Sequence, residues 1–324
     1  MNVALIGFGY WGNNLARILS ECGNFLKFIF DCDPARTAKA VQVYSTPSVS
    51  SLGDIWRSDV EAVFIATPPK SHYEIAREAL LAGKHVFVEK PFATSIDRAY
   101  ELLDLAEKRN CVAMVDHTFL FAEPVRYLNN LIRKGAMGEI VYISSRRINL
   151  GLFQQNVDVV FDLAVHDLAI VDFLVGMEIN RVSVFKRKFR TFPQDAWANL
   201  NLELKNGTLV NIAVSWLSPV KIRETIIGGT EMMAIYDDTT TNKLKIFDRG
   251  VILSETLGQD ELYKFMVQYK LGNIFEPKIF SKPSLTRAVE HFFDCVRSGE
   301  EPISGRKSIL AVTRALDIIS RTAT

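Results

Sequence analysis

The sequence predicts an α/β protein of two domains. Residues 1–120 read as a doubly wound parallel sheet, and residues 121–324 as an α+β domain with a large open, mostly antiparallel sheet. Three observations predict it. An apolar strand, Val3 to Ile6, runs straight into Gly7-Phe8-Gly9-Tyr10-Trp11-Gly12. Strand and helix patterns then alternate to about residue 120, and beyond that strands with alternating faces take over.

The glycine pattern has a mechanical reading. Gly7 permits the tight turn out of the strand, Gly9 lets a pyrophosphate approach the backbone, and Gly12 lets the following helix pack close to the sheet. That helix, Asn13 to Glu21, presents its N-terminus to phosphate. Tyr10 and Trp11 lie inside the same loop. A second strand, Leu26 to Phe30, ends on Asp31, whose carboxylate suits a ribose 2′-OH and repels a 2′-phosphate. Arg36 lies one turn into the next helix, and no basic residue directly follows Asp31. The reading is a Rossmann domain with NAD as cofactor, in preference to NADP.

Val60 to Ala66 is a continuous apolar strand, as a buried parallel sheet requires, and Thr67-Pro68-Pro69 ends it. A helix from His72 to Ala82 stops at Gly83. His85 to Glu89 is a short strand closed by Lys90-Pro91. A helix from Ile96 to Arg109 leads to a fifth strand, Val112 to Val115. In the second half, Glu123 to Lys134 reads as a connecting helix, Ile140 to Arg147 as a strand and Val159 to Val175 as a long amphipathic helix ended by Gly176. Leu200, Leu202 and Leu204 share one strand face opposite Asn199, Asn201 and Glu203, and Lys205-Asn206-Gly207 signals a hairpin. Its return strand carries Val210, Ile212, Val214 and Trp216 on one face, and Asn211, Ala213 and Ser215 on the other. Strands at 223–227, 232–236 and 243–247 follow, then helices at 285–297 and 307–321.

Bulk composition excludes several classes of function. With 38 basic and 37 acidic residues the net charge is +1, and no polybasic block or acidic tail appears. Neither nucleic acid nor an anionic membrane is therefore expected as a partner. No apolar run approaches a membrane span. The first strand begins at residue 2, so no leader peptide is expected and a cytoplasmic location is. The four cysteines, Cys22, Cys32, Cys111 and Cys295, show no paired spacing and read as free thiols. An open sheet has a second face for water or a partner. Its small residues and Trp197 fit a homodimer or homotetramer, and a solvated face fits nearly as well.

Lys90 follows a core strand at its carboxyl end, where open parallel sheets bind ligands, and Pro91 restricts it to extended backbone. A solvated lysine in an ordinary turn is the alternative. Asp162 and His166 lie four apart on the long helix, so the carboxylate can orient the imidazole and raise its proton affinity. That suits a group handling a proton near neutral pH. A surface ion pair explains the spacing as well, and no third ligand suggests a metal. His72 opens a helix and faces either cofactor or solvent. His117 follows the fifth strand. Arg146, Arg147 and Asn149 end a strand and suit an anionic or hydroxyl-rich substrate, or simply water.

Together, Gly7-Phe8-Gly9-Tyr10-Trp11-Gly12, Ala66-Thr67-Pro68 with His72, Glu89-Lys90-Pro91 and Asp162-x-x-x-His166 resemble the Gfo/Idh/MocA oxidoreductase family along essentially the whole chain. The resemblance implies an N-terminal Rossmann domain and a C-terminal domain whose open sheet often mediates oligomers. It implies that Lys90 hydrogen-bonds the reacting hydroxyl, that His166 is the acid/base partner and that Asp162 binds substrate. Thr67, Pro68 and Glu89 would line the cofactor, and His117, Arg147 and Asn149 are carried as substrate-binding candidates. Two departures stand out. Ala169 occupies a position that is often Asp, and Asp158-Val159-Val160-Phe161 replaces a glycine-rich stretch. The segments 116–121, 162–167 and 272–277 resemble members of nucleotide-sugar and surface-polysaccharide pathways. The expected activity is NAD-dependent oxidation or reduction of a sugar secondary alcohol, with a nucleotide-linked sugar as substrate. The alternatives are a free sugar or inositol dehydrogenase, a non-catalytic NAD-binding regulator, and a transient oxidation with NAD recycled in place.

Overall fold

The computed structural model describes every residue except 24, 48, 152, 154, 155, 249, 253–267, 271, 280, 281, 323 and 324. The chain forms two units. The first is Met1–Phe121 with Lys282–Ile318, and the second is Ala122–Ser281 with Ile319–Thr324.

In the first unit, β1 (Asn2–Ile6), β2 (Phe25–Phe30), β3 (Ala62–Ile65), β4 (His85–Val88) and β5 (Ala113–Val115) form a parallel sheet in the order β2-β1-β3-β4-β5. Helices α1 (Tyr10–Glu21), α2 (Pro34–Tyr44), α3 (Leu52–Trp56), α4 (Pro69–Leu81) and α5 (Ile96–Lys108) connect the strands. The strand order reverses between β1 and β3, so the carboxyl ends of those strands open the crevice where such sheets bind ligands. One sheet face packs Ile6, Val63, Ile65, Val86 and Val88 against Leu80, Leu102 and Leu103.

The opposite face explains the composition of this unit. Phe64 and Phe87 pack against Phe292 and Phe293 of α8 (Ser284–Ser298), with ring centroids 5.3–5.7 Å apart. A parallel sheet needs cover on both faces, and the returning helix supplies it. Residues 282–318, expected with the second domain, therefore group with the first. The edge strand β5 is tied to the same return segment. Val115 N donates to Ser304 O at 3.1 Å, and Ser304 Oγ donates to Val115 O at 2.7 Å.

The second unit is built on eight strands: β6 (Ile140–Leu150), β7 (Ile179–Lys188), β8 (Asp195–Leu204), β9 (Leu209–Ser215), β10 (Leu217–Gly229), β11 (Met233–Asp237), β12 (Leu244–Phe247) and β15 (Ile274–Phe275). Their order is β15-β12-β11-β10-β6-β9-β8-β7, and only β6 and β9 pair in parallel. β13 (Gly250–Ile252) and β14 (Gln268–Lys270) pair as a separate ribbon. The expected hairpin joins β8 to β9, with Gly207 at φ 87°. Leu200, Leu202, Val210, Ile212 and Val214 are buried on one face, and α6 (Glu123–Arg133) and α7 (Val165–Val175) lie in contact with the sheet. On the other face Asn199, Asn201 and Asn211 bond side chain to side chain at 2.7–3.1 Å.

The long amphipathic helix takes a different form. Residues Val160–Ala164 wind as a π-helix, and α7 begins only at Val165. α7 is not amphipathic: Val165, Leu168, Ala169, Ile170, Val171 and Leu174 leave it no continuous solvent face, because β6 and α6 both pack on it.

Candidate active site

In the first unit the β1–α1 turn is shaped by its glycines. Gly7 sits at φ 94°, and a Cβ there would lie 2.5 Å from Ala66 O. A Cβ on Gly12 would lie 1.9 Å from Gly7 O. These two glycines are therefore required by the packing of the turn itself. Gly9 differs, because its Cβ would meet only Arg36 Nη1 at 3.8 Å. That open space is what the approach of a pyrophosphate needs. Gly9 caps helix α1 without a side-chain hydrogen bond, and Tyr10 and Trp11 in its first turn are exposed.

Asp31 is tied into the same turn. Its Oδ2 accepts from Phe8 N at 2.7 Å and its Oδ1 from Asp33 N at 2.9 Å. Arg36 lies 3.8 Å from Asp31 and 3.5 Å from Asp33, so its charge is already answered by two carboxylates. A carboxylate oxygen has a second lone pair left for a ribose hydroxyl. Asp31 thus fits the ribose of NAD while also holding the glycine turn.

At the carboxyl ends of β3 and β4, His72 is buried and ties two turns together. Its Nε2 lies 2.7 Å from Thr67 O and its Nδ1 2.9 Å from Pro91 O. Burial lowers its proton affinity while the two carbonyls oppose that. The ring does not face solvent, since it is buried and meets two backbone carbonyls. Ser71 Oγ adds a 2.9 Å bond to Thr67 Oγ1. Lys90 follows Glu89 beyond β4, and Glu89 is itself buried, as is Asp116 at the matching position beyond the adjacent β5. Thr118 Oγ1 donates to Asp116 Oδ1 at 2.6 Å. Burial pushes the Glu89 carboxyl well up, and Asp116's negative charge adds to this while Lys90 opposes it. Asp116 is pushed up to about 6, chiefly by burial. His117, also buried, meets Ser308 Oγ at 3.2 Å, and burial lowers its pKa to about 3. It is a neutral interior histidine of this unit.

In the second unit Asp162 lies in the π-helix and His166 in the first turn of α7. Trp216 Nε1 donates to Asp162 Oδ2 at 2.9 Å. Gly151 makes room for the indole, since a Cβ there would lie 2.5 Å from its Cδ1. The stretch that departs from the glycine-rich pattern also has a role. Asp158 Oδ1 accepts from Val160 N at 3.0 Å and Phe161 N at 3.1 Å, and Lys186 Nζ donates to its other oxygen at 2.8 Å. Side-chain exposures of 12% and 9% make this an interior ion pair that starts the segment carrying Asp162 and His166.

Arg147 does not end a strand in water. Its Nε and Nη2 bond Asp167 at 2.8 and 3.0 Å, and both residues are buried. Asn149 keeps a buried amide oxygen that no donor among the described residues reaches. Sequence reasoning missed Asp116, Asp158, Asp167, Lys186 and Trp216. The replaced glycine stretch was the one available signal, and it pointed at Asp158. No group of three or more potential metal-ligating side chains occurs among the described residues.

A family model described as "Oxidoreductase family, NAD-binding Rossmann fold" matches residues 1–117, and one described as "GFO/IDH/MocA C-terminal domain" matches residues 125–235. The chain belongs to the Gfo/Idh/MocA oxidoreductase family. Its first domain is thereby an NAD-binding one, in keeping with Gly9 and Asp31. Among curated relatives, the UDP-N-acetylglucosamine 3-dehydrogenase of Acidithiobacillus ferrooxidans is 29% identical over 259 residues, 77% of this chain and 78% of that one. Glycosyl hydrolase family 109 protein 2 of a Shewanella species is 36% identical over 156 residues, but these are 44% of this chain and 34% of that protein. The solved structure of the Acidithiobacillus dehydrogenase superposes with a TM-score of 0.84 at 22% identity, covering 100% of this chain and 97% of that one, a likeness of fold.

Proposed function

We propose that this family member is an NAD-dependent dehydrogenase acting on a secondary alcohol of a nucleotide-linked sugar. The observation that carries the reading is Lys90, at the carboxyl end of β4 in an NAD-binding unit, in a chain aligned over three quarters of its length with a UDP-sugar dehydrogenase. Bound NAD supplies the hydride chemistry. Lys90 donates to the hydroxyl oxygen and stabilises the developing alkoxide, while His166 takes the proton. Asp162, held by Trp216, binds the sugar beside it. Asn149 supports a hydroxyl-rich ligand, because its orphaned oxygen is a costly group to bury unless a donor arrives. Arg147 is left out of the substrate contacts, since Asp167 holds its guanidinium.

NADH absorbance with NAD and a panel of UDP-linked and free sugars tests this. Turnover confined to UDP-linked sugars is the expected result. Lys90→Met and His166→Ala are expected to lose about 10²–10⁴-fold in rate while still binding NAD by calorimetry. Wild-type rates in both variants would overturn the site assignment. Turnover with free sugars or inositols would move the substrate class. Tight NAD binding with no turnover would favour the regulatory reading.

A second reading is favoured by the glycosyl hydrolase relative, whose name denotes a non-redox activity. On it the sugar is oxidised transiently and NAD is restored in place. Product forming with catalytic NAD and no net NADH would establish it.

We also infer a homodimer or homotetramer through the open face of the eight-stranded sheet, and a cytoplasmic location. That face carries a depression of about 480 Å³ lined in part by Tyr142, Ser144, Ser183, Asn201 and Asn211. No described helix is long and apolar enough to cross a membrane. A monomer mass by light scattering would refute the oligomer.

A further inference from the structure

Two buried carboxyl groups stand at the strand ends next to Lys90, and one of them, Glu89, is also expected from the family resemblance to line the cofactor. Glu89 follows β4 and Asp116 follows the adjacent β5, where Glu89 N donates to Ile65 O at 2.9 Å and Asp116 N to Val88 O at 2.8 Å. The backbone ladder thus fixes the two residues on neighbouring strand ends. Their exposures are 6% and 2%, and because Val88 pairs with Val115 the two carboxyl groups occupy matching positions at the ends of adjacent strands. Two ionised carboxylates buried side by side repel each other, and neither has a donor to offer the other; one proton removes both costs. Glu89 Oε1 is also fully buried with no donor among the described residues. An ionised oxygen in that setting bears the whole desolvation cost.

We propose that Glu89 and Asp116 share a single proton, forming a carboxyl–carboxylate pair of charge −1 that positions Lys90 and serves as its counter-charge. Thr118 decides which partner carries the negative charge. Its hydroxyl donates at 2.6 Å to Asp116 Oδ1, favouring ionised Asp116 and leaving the proton on Glu89. Among the described residues, the remaining groups that act on the pair add no second negative charge. The charge of Lys90 favours the ionised form of both carboxyls. From α4, His72 meets the Thr67 and Pro91 carbonyls and feels Lys90. After β5, His117 is kept neutral by burial and meets Ser308, while Ser304 bonds the Val115 carbonyl. One shared proton therefore leaves Lys90 with one compensating charge. Two ionised carboxylates would over-compensate it and hold its ammonium back from a substrate oxygen. In this role Glu89 and Asp116 are positioning residues, not groups that touch the reacting atoms.

Only the role of Lys90 rests on the dehydrogenase reading, and the shared proton can be tested without it. Infrared difference titration of the full-length protein, from about pH 5 to about pH 9 and so above the ordinary carboxylate range, reads the C=O stretch of a protonated carboxyl. Wild type is expected to show that band at neutral pH, and Glu89→Gln to lack it. Thr118→Val removes the donor to Asp116, so the band should persist to higher pH. No band in wild type, a band unchanged in Glu89→Gln, or no displacement in Thr118→Val would each overturn the pair. In the kinetic arm, Glu89→Gln should lower kcat by roughly tenfold or more and displace the pH–rate profile. An unchanged kcat and profile would overturn the positioning role. Absence of turnover with every sugar would sink the dehydrogenase reading alone, and the infrared result would still decide the pair.

Discussion

Trp216 reaches Asp162 through its indole N–H, at 2.9 Å from Oδ2, and the indole itself is fully buried. The bond crosses from the end of β9 to the π-helix and orients a carboxylate that the family resemblance assigns to substrate. Trp216→Phe keeps most of the packing and removes only the donor. It is expected to destabilise the protein by about 1–3 kcal/mol, the cost of an unsatisfied buried polar group, and to raise KM for the sugar. Urea unfolding beside steady-state kinetics checks both. A stability loss with unchanged kinetics would leave Trp216 a purely structural residue.

The two kinds of glycine in the first turn should separate folding from cofactor binding. Gly12→Ala places a methyl group 1.9 Å from the Gly7 carbonyl oxygen, so the turn cannot close as it stands. It is expected to lower soluble yield and Tm. Gly9→Ala meets only the far end of Arg36 at 3.8 Å, so the protein should fold with near wild-type Tm. Its NAD affinity should fall by roughly tenfold or more, about 1.4 kcal/mol. Calorimetry and thermal melts distinguish the two outcomes.

Asp158 and Lys186 should behave as a coupled pair. Lys186→Met strands a carboxylate that is 12% exposed, and about 3–5 kcal/mol of destabilisation is expected. Asp158 also accepts two backbone N–H bonds at the start of the π-helix, so Asp158→Asn should cost less by keeping an acceptor there. A double-mutant cycle on Cm is expected to give a coupling of about 0.5–3 kcal/mol. Additive effects would show that the two side chains act independently.

His117 predicts acid sensitivity of a definite sign. Its folded pKa of about 3 lies below the ordinary 6.5, so between those values the unfolded chain binds a proton that the folded chain refuses. Stability from this residue is complete above about pH 6.5 and is lost as pH falls towards 3. The Glu89–Asp116 pair works in the opposite direction. Its raised pKa values mean that the folded state holds a proton the unfolded chain releases, so the contribution of Asp116 weakens as pH rises from about 4 through about 6 and that of Glu89 is lost at higher pH, as its own well-raised folded value is passed. Subtracting the Cm–pH profile of His117→Asn from that of wild type isolates the histidine. A flat difference below pH 6.5 would contradict its neutral burial.

The sequence by itself determined the architecture and much of the cofactor turn. Local rules suffice there: apolar runs mark buried parallel strands, glycine spacing marks the turn, and alternation marks the faces of β8 and β9. What only the tertiary structure decided lies between residues far apart in the chain. The aromatic faces of Phe64 and Phe87 needed cover, and Phe292 and Phe293 supplied it, so 282–318 grouped with the first unit. Arg147 looked like a charged strand end until Asp167, on α7, took its guanidinium. His72 and His117 looked accessible until burial made one a bracket between two turns and the other a neutral interior group. The π-helix at Val160–Ala164 has no period in the sequence, and Asp158 with Lys186 shows how its start is held. Glu89 and Asp116 lie 27 positions apart and meet only because β4 and β5 are neighbours in the sheet. Periodicity and spacing report a residue's own neighbourhood along the chain, whereas the partner that neutralises a buried charge is chosen by packing.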